Sequence, residues 1–160
     1  MTDTQDLHKA FWDRLDSLNA GMLGLSDDRR FIPMSHYTDR DAGKLWFITA
    51  KETDLARSLA GSERDAMHIV CDSGEGLFAR IEGRLSLVDD PAKLDELWNA
   101  VASSWFEDGR HDSDIQLLRF NIATAETWIT GGSVAFLYQI AKSKATGDKP
   151  DLGEHVTLNF

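Results

Sequence analysis

The chain has 160 residues, a formal net charge of −10, 42% hydrophobic residues and one cysteine. This length predicts one domain, and the hydrophobic share excludes a wholly disordered chain. The acidic excess repels phosphate backbones and argues against a nucleic-acid partner. No apolar run reaches the roughly 20 residues that span a bilayer, and the acidic N-terminus lacks a secretion signal. We therefore expect a cytoplasmic protein with no membrane partner and no intrachain disulfide.

The first third of the chain predicts one helix followed by three short strands. Apolar residues at helical spacing favour an amphipathic helix over residues 5–18. Strand patterns follow at residues 22–25 and 31–37. Lys44–Ala50 is the strongest of them, because it is rich in aromatic and β-branched residues. Residues 54–59 then predict a short helix, capped by the aspartate at its start.

The middle of the chain predicts two strands and a longer helix. The strands cover residues 66–71 and 77–88, and a bulge at Gly83 would help a barrel to close. The Asp-Pro pair at residues 90–91 is typical of a helix start. The apolar face of this helix continues to Trp105, which is therefore predicted to pack in the core.

The last third predicts a strand over residues 116–129, a helix over 133–144 and a polar tail. Residues 1–147 are thus expected to form one domain, and residues 148–160 the tail. Short turns between successive strands favour antiparallel pairing, and closure into a barrel removes exposed sheet edges. The sequence predicts a mainly β fold, an antiparallel barrel of about six strands with flanking helices.

Searches for catalytic and metal-binding motifs identify no such group. The five histidines are scattered, and the cluster at residues 111–114 fits a polar loop better than a metal site. Cys71 lies inside an apolar strand and is predicted to be buried and unreactive. The sequence contains no nucleophile elbow, dinucleotide fingerprint or phosphate-binding loop. Paired aspartates fall at predicted turns, where they are common for local hydrogen bonding.

The strand and turn over residues 46–53 combine aromatic, hydroxyl and cationic side chains. Alternation places Phe47 and Thr49 on one face of the strand, and Trp46 and Ile48 on the other. A flavin needs such a set, because its ring requires a flat apolar surface and its phosphate requires hydroxyl, N–H and ammonium donors. Aromatic residues on a strand are also typical of a core, so the pattern alone leaves both interpretations open.

This region resembles a known family. Phe31–His36 followed by Leu45–Thr49 is similar to the Pro-Met and Trp-Phe-x-Thr strands of the general-stress FMN-binding split-barrel proteins, a branch of the pyridoxamine 5'-phosphate oxidase-like proteins. Further matches follow in the same order at Gly83, Leu97-Trp98, Trp105-Phe106 with Gly109, and Leu117-Leu118-Arg119 before Trp128. The resemblance spans roughly residues 5–145.

The resemblance implies a six-stranded antiparallel split β-barrel with flanking helices, and a homodimer that holds FMN in a groove between its subunits. The positions that match the family's cofactor contacts are Met34, Ser35, Phe47, Ile48, Thr49, Lys51 and Thr53. Trp128, at the end of a strand, is predicted to border the flavin at the barrel mouth, and a place at that border also stays open for Trp105. The chain departs from the family at Ile32, where relatives often carry arginine, and at Asp54 and Leu55, where many carry a basic residue. Lys51 is expected to replace the missing charge.

We accordingly expect an FMN-binding protein, a flavin-dependent oxidoreductase with a stress-related role. Flavin carries the electron chemistry, so no acid–base pair is required in the protein. Two alternatives stay open: a non-catalytic flavin carrier, and a split barrel that uses the deazaflavin F420 or no flavin. Pyridoxamine 5'-phosphate oxidase activity itself is not expected, because the catalytic residues of those enzymes have no recognisable counterpart in this chain.

Overall fold

The structure, a computed structural model, describes residues 3–150 and 153–160, apart from the side chains of residues 100, 101 and 132–136. The helices in this part of the chain are α1 Thr4–Ser17, α2 Asp54–Ser58, α3 Pro91–Leu97, α4 Ala100–Ser103 and α5 Gly132–Thr146. The strands are β1 Ala20–Leu25, β2 Ile32–Ser35, β3 Tyr37–Asp39, β4 Lys44–Ala50, β5 Arg64–Asp72, β6 Leu77–Val88, β7 Ile115–Ile129 and β8 Glu154–Asn159. None of the described helices is long and apolar enough to cross a membrane.

All strand pairs are antiparallel, and they join in the order β2-β1-β5-β6-β7-β4-β3. The longest strand, β7, pairs with β6 on one side. On its other side the first half of β7 pairs with β4 and the second half with β8. One continuous sheet therefore runs through every strand of the described chain.

Chain connectivity requires this sheet to curl. β2 and β3 lie at opposite ends of the strand order, yet only His36 separates them in sequence. Because one residue spans at most about 3.6 Å, the two edges must approach each other. The sheet is thus bent into a barrel that stays open beside this junction, which confirms the antiparallel split-barrel class with flanking helices.

The inner face of the sheet and helix α1 form the main core. Leu7, Phe11, Trp12 and Leu15 of α1 are all buried in it. The barrel adds fully buried side chains from β1, β4, β6 and β7, among them Leu23, Leu45, Phe47, Ile81, Leu118 and Phe120. A second, smaller cluster lies on the outer face, where α3 packs over β4 and β7 through Leu94, Trp46 and Leu117. Both faces of β4 are therefore covered.

Most predicted elements are confirmed. The helix over residues 5–18 is α1, and β4 and β6 have the predicted bounds. The predicted bulge is also present, because the register between β6 and β7 shifts between Glu82 and Gly83.

The strand count is eight in the described residues instead of six, for two reasons. The predicted strand over 31–37 divides at His36, where the chain crosses from one sheet edge to the other. Residues 154–159, expected to lie in a polar tail, form β8 and pair with β7.

Two local predictions are wrong. Cys71 is exposed, because it points to the outer face of β5 near the strand's end while its neighbour Val70 points inward. The cap of α2 is Thr53 and not Asp54, since the Thr53 side chain accepts a hydrogen bond from the Ala56 N–H at 3.2 Å.

Gly83 is required by the bulge, which gives a direct test of the barrel geometry. A Cβ atom at this position would lie 2.0 Å from the carbonyl oxygen of Asn121, in backbone that cannot yield. We expect Gly83→Ala to lower the free energy of unfolding by about 3 kcal/mol or more, measured by urea denaturation. The matched control is Gly61→Ala, where a Cβ atom meets nothing within 4 Å. Equal stability of the two variants would contradict this account of the bulge.

Candidate functional site

The opening of the barrel forms a groove of about 330 Å³ between β2 and β4, here called the seam groove. Its apolar walls are Ile32, Pro33, Met34, Ile48, Trp105 and Phe106. Its polar lining consists of Ser35, Tyr37, Thr49, Thr53 and Asp114. A volume of this size with apolar walls and a few polar groups is typical of small-molecule sites.

Two threonines at the end of β4 fix the polar side of the seam groove. The Thr53 hydroxyl donates to the carbonyl oxygen of Ala50 at 2.9 Å and also caps α2. The hydroxyl of Thr49 lies 3.5 Å from that of Thr53. Because the proton of Thr53 is already committed to Ala50, Thr49 is the donor within this pair, and its oxygen keeps the capacity to accept from a ligand.

A break in the predicted helix forms the outer wall of the groove. Trp98 adopts an extended backbone after α3, and the Asn99 side chain accepts from the Ala102 N–H at 3.0 Å to begin α4. The chain therefore turns away, and Trp105 is 79% exposed instead of packing in the core. The prediction of a continuous helix with a buried Trp105 is wrong, because asparagine favours a helix start over a helix interior.

Two of the grooves near the seam groove are lined by a Lys or Arg side chain. The first, the Arg30 groove, has a volume of about 410 Å³ and shares Ile32 and Thr53 with the seam groove. The second, the Lys51 groove, has a volume of about 420 Å³ and is lined by both acidic and basic side chains, including Asp90 and Arg110. It lies close by, since the backbone N–H of Lys51 donates to the carbonyl oxygen of Asp114 at 2.8 Å.

The structure brings five of the eight predicted cofactor residues together. Met34, Ser35, Ile48, Thr49 and Thr53 all line the seam groove.

The other three predicted residues lie elsewhere. Phe47 is fully buried in the core against Phe120, and Lys51 lines the groove that bears its name. Trp128 stacks on His155 with ring centroids 4.6 Å apart. Thr49 pairs with Gln116 of β7, and Trp128 lies twelve residues further along that strand. At 3.3 Å per residue, Trp128 is therefore about 40 Å along β7 from the groove.

A buried histidine pair supports the groove from behind. His36, which stands between the groove residues Ser35 and Tyr37, places Nδ1 3.0 Å from Nε2 of His68. Its own Nε2 lies 3.1 Å from the carbonyl oxygen of Leu15 in α1. A carbonyl only accepts, so His36 carries its proton on Nε2 and accepts from Nε2–H of His68. The unprotonated Nδ1 of His68 is then buried without a partner in the described structure.

This arrangement keeps both imidazoles neutral. Burial and, to a smaller extent, the neighbouring His36 together lower the pKa of His68 to about 3. Burial also lowers the pKa of His36, against the opposing effect of the hydrogen bond to Leu15. Protonation of His68 would place a charge on an Nδ1 that has no acceptor, beside the ring of Phe47 at 5.0 Å. The pair is therefore stable only in its neutral form.

Acid should weaken the fold through His68. Between its ordinary pKa of 6.5 and about 3, the unfolded chain binds a proton on this residue that the folded chain does not. The free energy of unfolding should therefore fall with falling pH, by up to about 1.4 kcal/mol per pH unit. Urea unfolding between pH about 5 and 7, where most carboxylates stay ionised, measures this slope.

The variant His68→Gln should show a shallower slope than the unmodified protein, whatever its stability at neutral pH. The exposed His111 provides the control, and His111→Gln should keep the original slope. An unchanged slope in His68→Gln would show that the pair does not carry the acid sensitivity.

Sequence reasoning missed three residues that line these grooves, namely Arg30, Tyr37 and Asp114, and it favoured core packing for Trp105 while leaving a place at the flavin border open. Period-two alternation does not identify Arg30, because β2 begins only at Ile32 and a hydrogen bond from the Phe31 N–H to the Arg29 carbonyl oxygen at 3.2 Å turns the chain at Arg30. Nothing in the sequence signals Asp114, whose position depends on how the loop after α4 folds back. In the described ranges, no group of three or more His, Cys, Asp or Glu side chains is placed to hold a metal ion.

Comparisons with known proteins agree on one family. The family model described as pyridoxamine 5'-phosphate oxidase like matches residues 6–151. A protein provisionally named general stress protein 26, from Jannaschia sp. CCS1, is 48% identical, with a TM-score of 0.92 over 99% of this chain and 100% of its own. The general stress FMN/FAD binding protein of Xanthomonas citri is 34% identical, with a TM-score of 0.72 over 81% of this chain and 92% of its own.

A provisionally named general stress family protein from Xanthomonas campestris pv. campestris is also 34% identical, with a TM-score of 0.73 over 83% of this chain and 93% of its own. A search of the curated proteins found no match. The family match, the identities and the shared barrel lead to one conclusion: the chain belongs to the pyridoxamine 5'-phosphate oxidase-like family, among its general stress proteins.

Proposed function

We propose that the protein binds FMN, with the flavin ring in the seam groove, and acts as a flavin-dependent oxidoreductase. One observation carries this proposal. Five residues from β2, β4 and the following turn, chosen from sequence as flavin contacts, converge on one groove of suitable size. The 34% identical protein from Xanthomonas citri is named as an FMN/FAD binding protein, which agrees with it.

The seam groove suits an isoalloxazine ring. Met34 and Ile48 offer apolar surface from two strands, and Trp105 offers a flat aromatic face at the rim. Ser35 and Thr49 provide hydroxyl groups for the polar edge of the ring. Burial raises the pKa of Tyr37, so its hydroxyl stays protonated and donates, at present to Asn99 Oδ1 at 3.3 Å. When bound, flavin supplies the electron chemistry, and the chain's residues orient the ring and exclude water.

The residues near the expected position of the FMN phosphate offer few free hydrogen-bond donors. The hydroxyls of Thr53 and Ser58 already donate to the backbone, to Ala50 and Asp54. Charge must therefore come from the flanking grooves, where Arg30 lies on one side and Lys51 on the other. A phosphate beside either cation would gain a charge-assisted hydrogen bond.

The second candidate function is a non-catalytic flavin carrier, which the same groove supports equally well. Turnover of NAD(P)H by the flavin-loaded protein separates the two. Steady oxidation of the nicotinamide with reduction of a second acceptor supports the oxidoreductase, and flavin binding without turnover supports the carrier.

The groove predicts a role for Trp105 that can be tested without unfolding the protein. Because the side chain is 79% exposed, Trp105→Ala should change the free energy of unfolding by less than about 1 kcal/mol. Loss of ring stacking should weaken FMN binding by about tenfold, measured by titration of flavin fluorescence. The comparison variant is Trp128→Phe, which the geometry of a single chain places far from the ring. An FMN affinity that is unchanged in Trp105→Ala would show that Trp105 is not part of the flavin site.

We also propose that the protein is a homodimer. Leu137 and Tyr138 on α5 are large side chains with exposures of 67% and 63%, and a second copy would cover such surface. Light scattering should give twice the chain mass of 17.9 kDa. A monomer that retains flavin would contradict this. In a dimer, altered flavin emission in Trp128→Phe would indicate that the second copy brings this indole to the ring.

A further inference from the structure

A further cavity, here called the polar annex, adjoins the seam groove at the far end of β2 from the Arg30 groove. It has a volume of about 330 Å³, and its lining includes the polar side chains of Asp16, Asn19, Ser35, Tyr37, Thr38 and Asn99. The annex shares Ser35, the last residue of β2, and Tyr37 with the seam groove, whereas the Arg30 groove shares Ile32, the first residue of β2. A molecule that lies in the seam groove can therefore extend into the annex.

The side-chain amide of Asn99 offers the annex a hydrogen-bond donor. Its Oδ1 accepts from the Ala102 N–H at 3.0 Å and from the Tyr37 hydroxyl at 3.3 Å. A backbone N–H only donates, so it must face the amide oxygen, and this fixes which end of the Asn99 amide is Nδ2. No residue in the described part of the chain accepts a hydrogen bond from Nδ2. This N–H group is therefore available to a ligand in the annex.

The other polar groups of the annex are neutral or acidic. The Asn19 amide and the Ser35 hydroxyl have no side-chain hydrogen bond within the described ranges. The Asp16 carboxylate accepts from the Thr38 hydroxyl and lies 3.4 Å from Nη2 of Arg40. Among the described residues that line the annex there is no lysine or arginine. An anionic group would therefore meet the charge of Asp16 without a cation in the lining to offset it.

We propose that the polar annex binds an uncharged primary carboxamide of the substrate and that Asn99 selects this group. The inference rests on the proposed function, because it makes the annex part of the substrate site of a flavin enzyme. A carboxamide carries a carbonyl oxygen that accepts from Nδ2 of Asn99 and an amino group that donates to Ser35 or Asp16. Leu18 and Leu97 add apolar surface for the ring or chain that bears the carboxamide. The nicotinamide ring of NAD(P)H belongs to this class of substrate.

Three pyridines of similar size test the selection. Nicotinamide carries a carboxamide, nicotinate carries a carboxylate, and the corresponding aminomethylpyridine carries an ammonium group at neutral pH. Binding of each to the FMN-loaded protein is measured by ligand-detected NMR, which does not depend on turnover. Nicotinamide should bind about tenfold more tightly than nicotinate, and also more tightly than aminomethylpyridine, because only the carboxamide pairs with both the donor and the acceptors of the annex.

The variant Asn99→Asp isolates the donor. An aspartate keeps an oxygen for the Ala102 N–H and the Tyr37 hydroxyl, so the thermal melting curve should not change. It replaces Nδ2 with a charged oxygen, which should weaken nicotinamide binding about tenfold and strengthen binding of aminomethylpyridine. The matched control is Asn159→Asp, which adds the same charge at an exposed residue of β8 outside the annex and should change neither affinity.

The outcomes distinguish this inference from the proposed function. Nicotinate or aminomethylpyridine that binds as tightly as nicotinamide, with FMN still bound, overturns the inference alone. An unchanged nicotinamide affinity in Asn99→Asp overturns it as well, because the probe is then held elsewhere. If the unmodified protein binds no FMN, both the inference and the proposed function fail.

Discussion

The architecture depends on a single-residue connection between two sheet edges. His36 is the only residue between β2 and β3, so the barrel must close where this residue lies. Its imidazole has both nitrogens engaged, one with Leu15 of α1 and one with His68 of β5. The junction is thereby tied to the helix that fills the core and to a strand across the barrel. Such a tie works only between neutral rings, because each hydrogen bond depends on which nitrogen carries the proton.

The groove is a consequence of the same junction. Neighbouring residues on an extended chain point to opposite sides, so the inward His36 leaves Ser35 and Tyr37 to face the opening. On the other side of the groove, successive side chains of β4 also point alternately into the core and outward. Phe47 enters the core and Ile48 faces outward, while Thr49 ends the buried row at the point where the barrel opens. Phe47 and His36 thus serve the core, while their direct neighbours Ile48, Ser35 and Tyr37 line the groove.

Local patterns predicted the elements well and the tertiary arrangement less well. Lys44–Ala50 was predictable because aromatic and β-branched residues form a strand in almost any surroundings. The exposure of Trp105 was not, because it depends on Asn99 capping a new helix with support from Tyr37 across the groove. β8 could not be predicted either. It pairs with the second half of β7, and no local sequence pattern shows that β4 leaves this half of the strand unpaired on one side.

The same limit applies to charge at the candidate site. A family resemblance assigns a role to each aligned position separately, and at the position where relatives often carry arginine this chain has the apolar Ile32. Arg30, two residues earlier, lines the neighbouring groove, and the turn that places it there is not evident from strand alternation. The chain carries a net charge of −10, and an anion would be repelled from most of its surface.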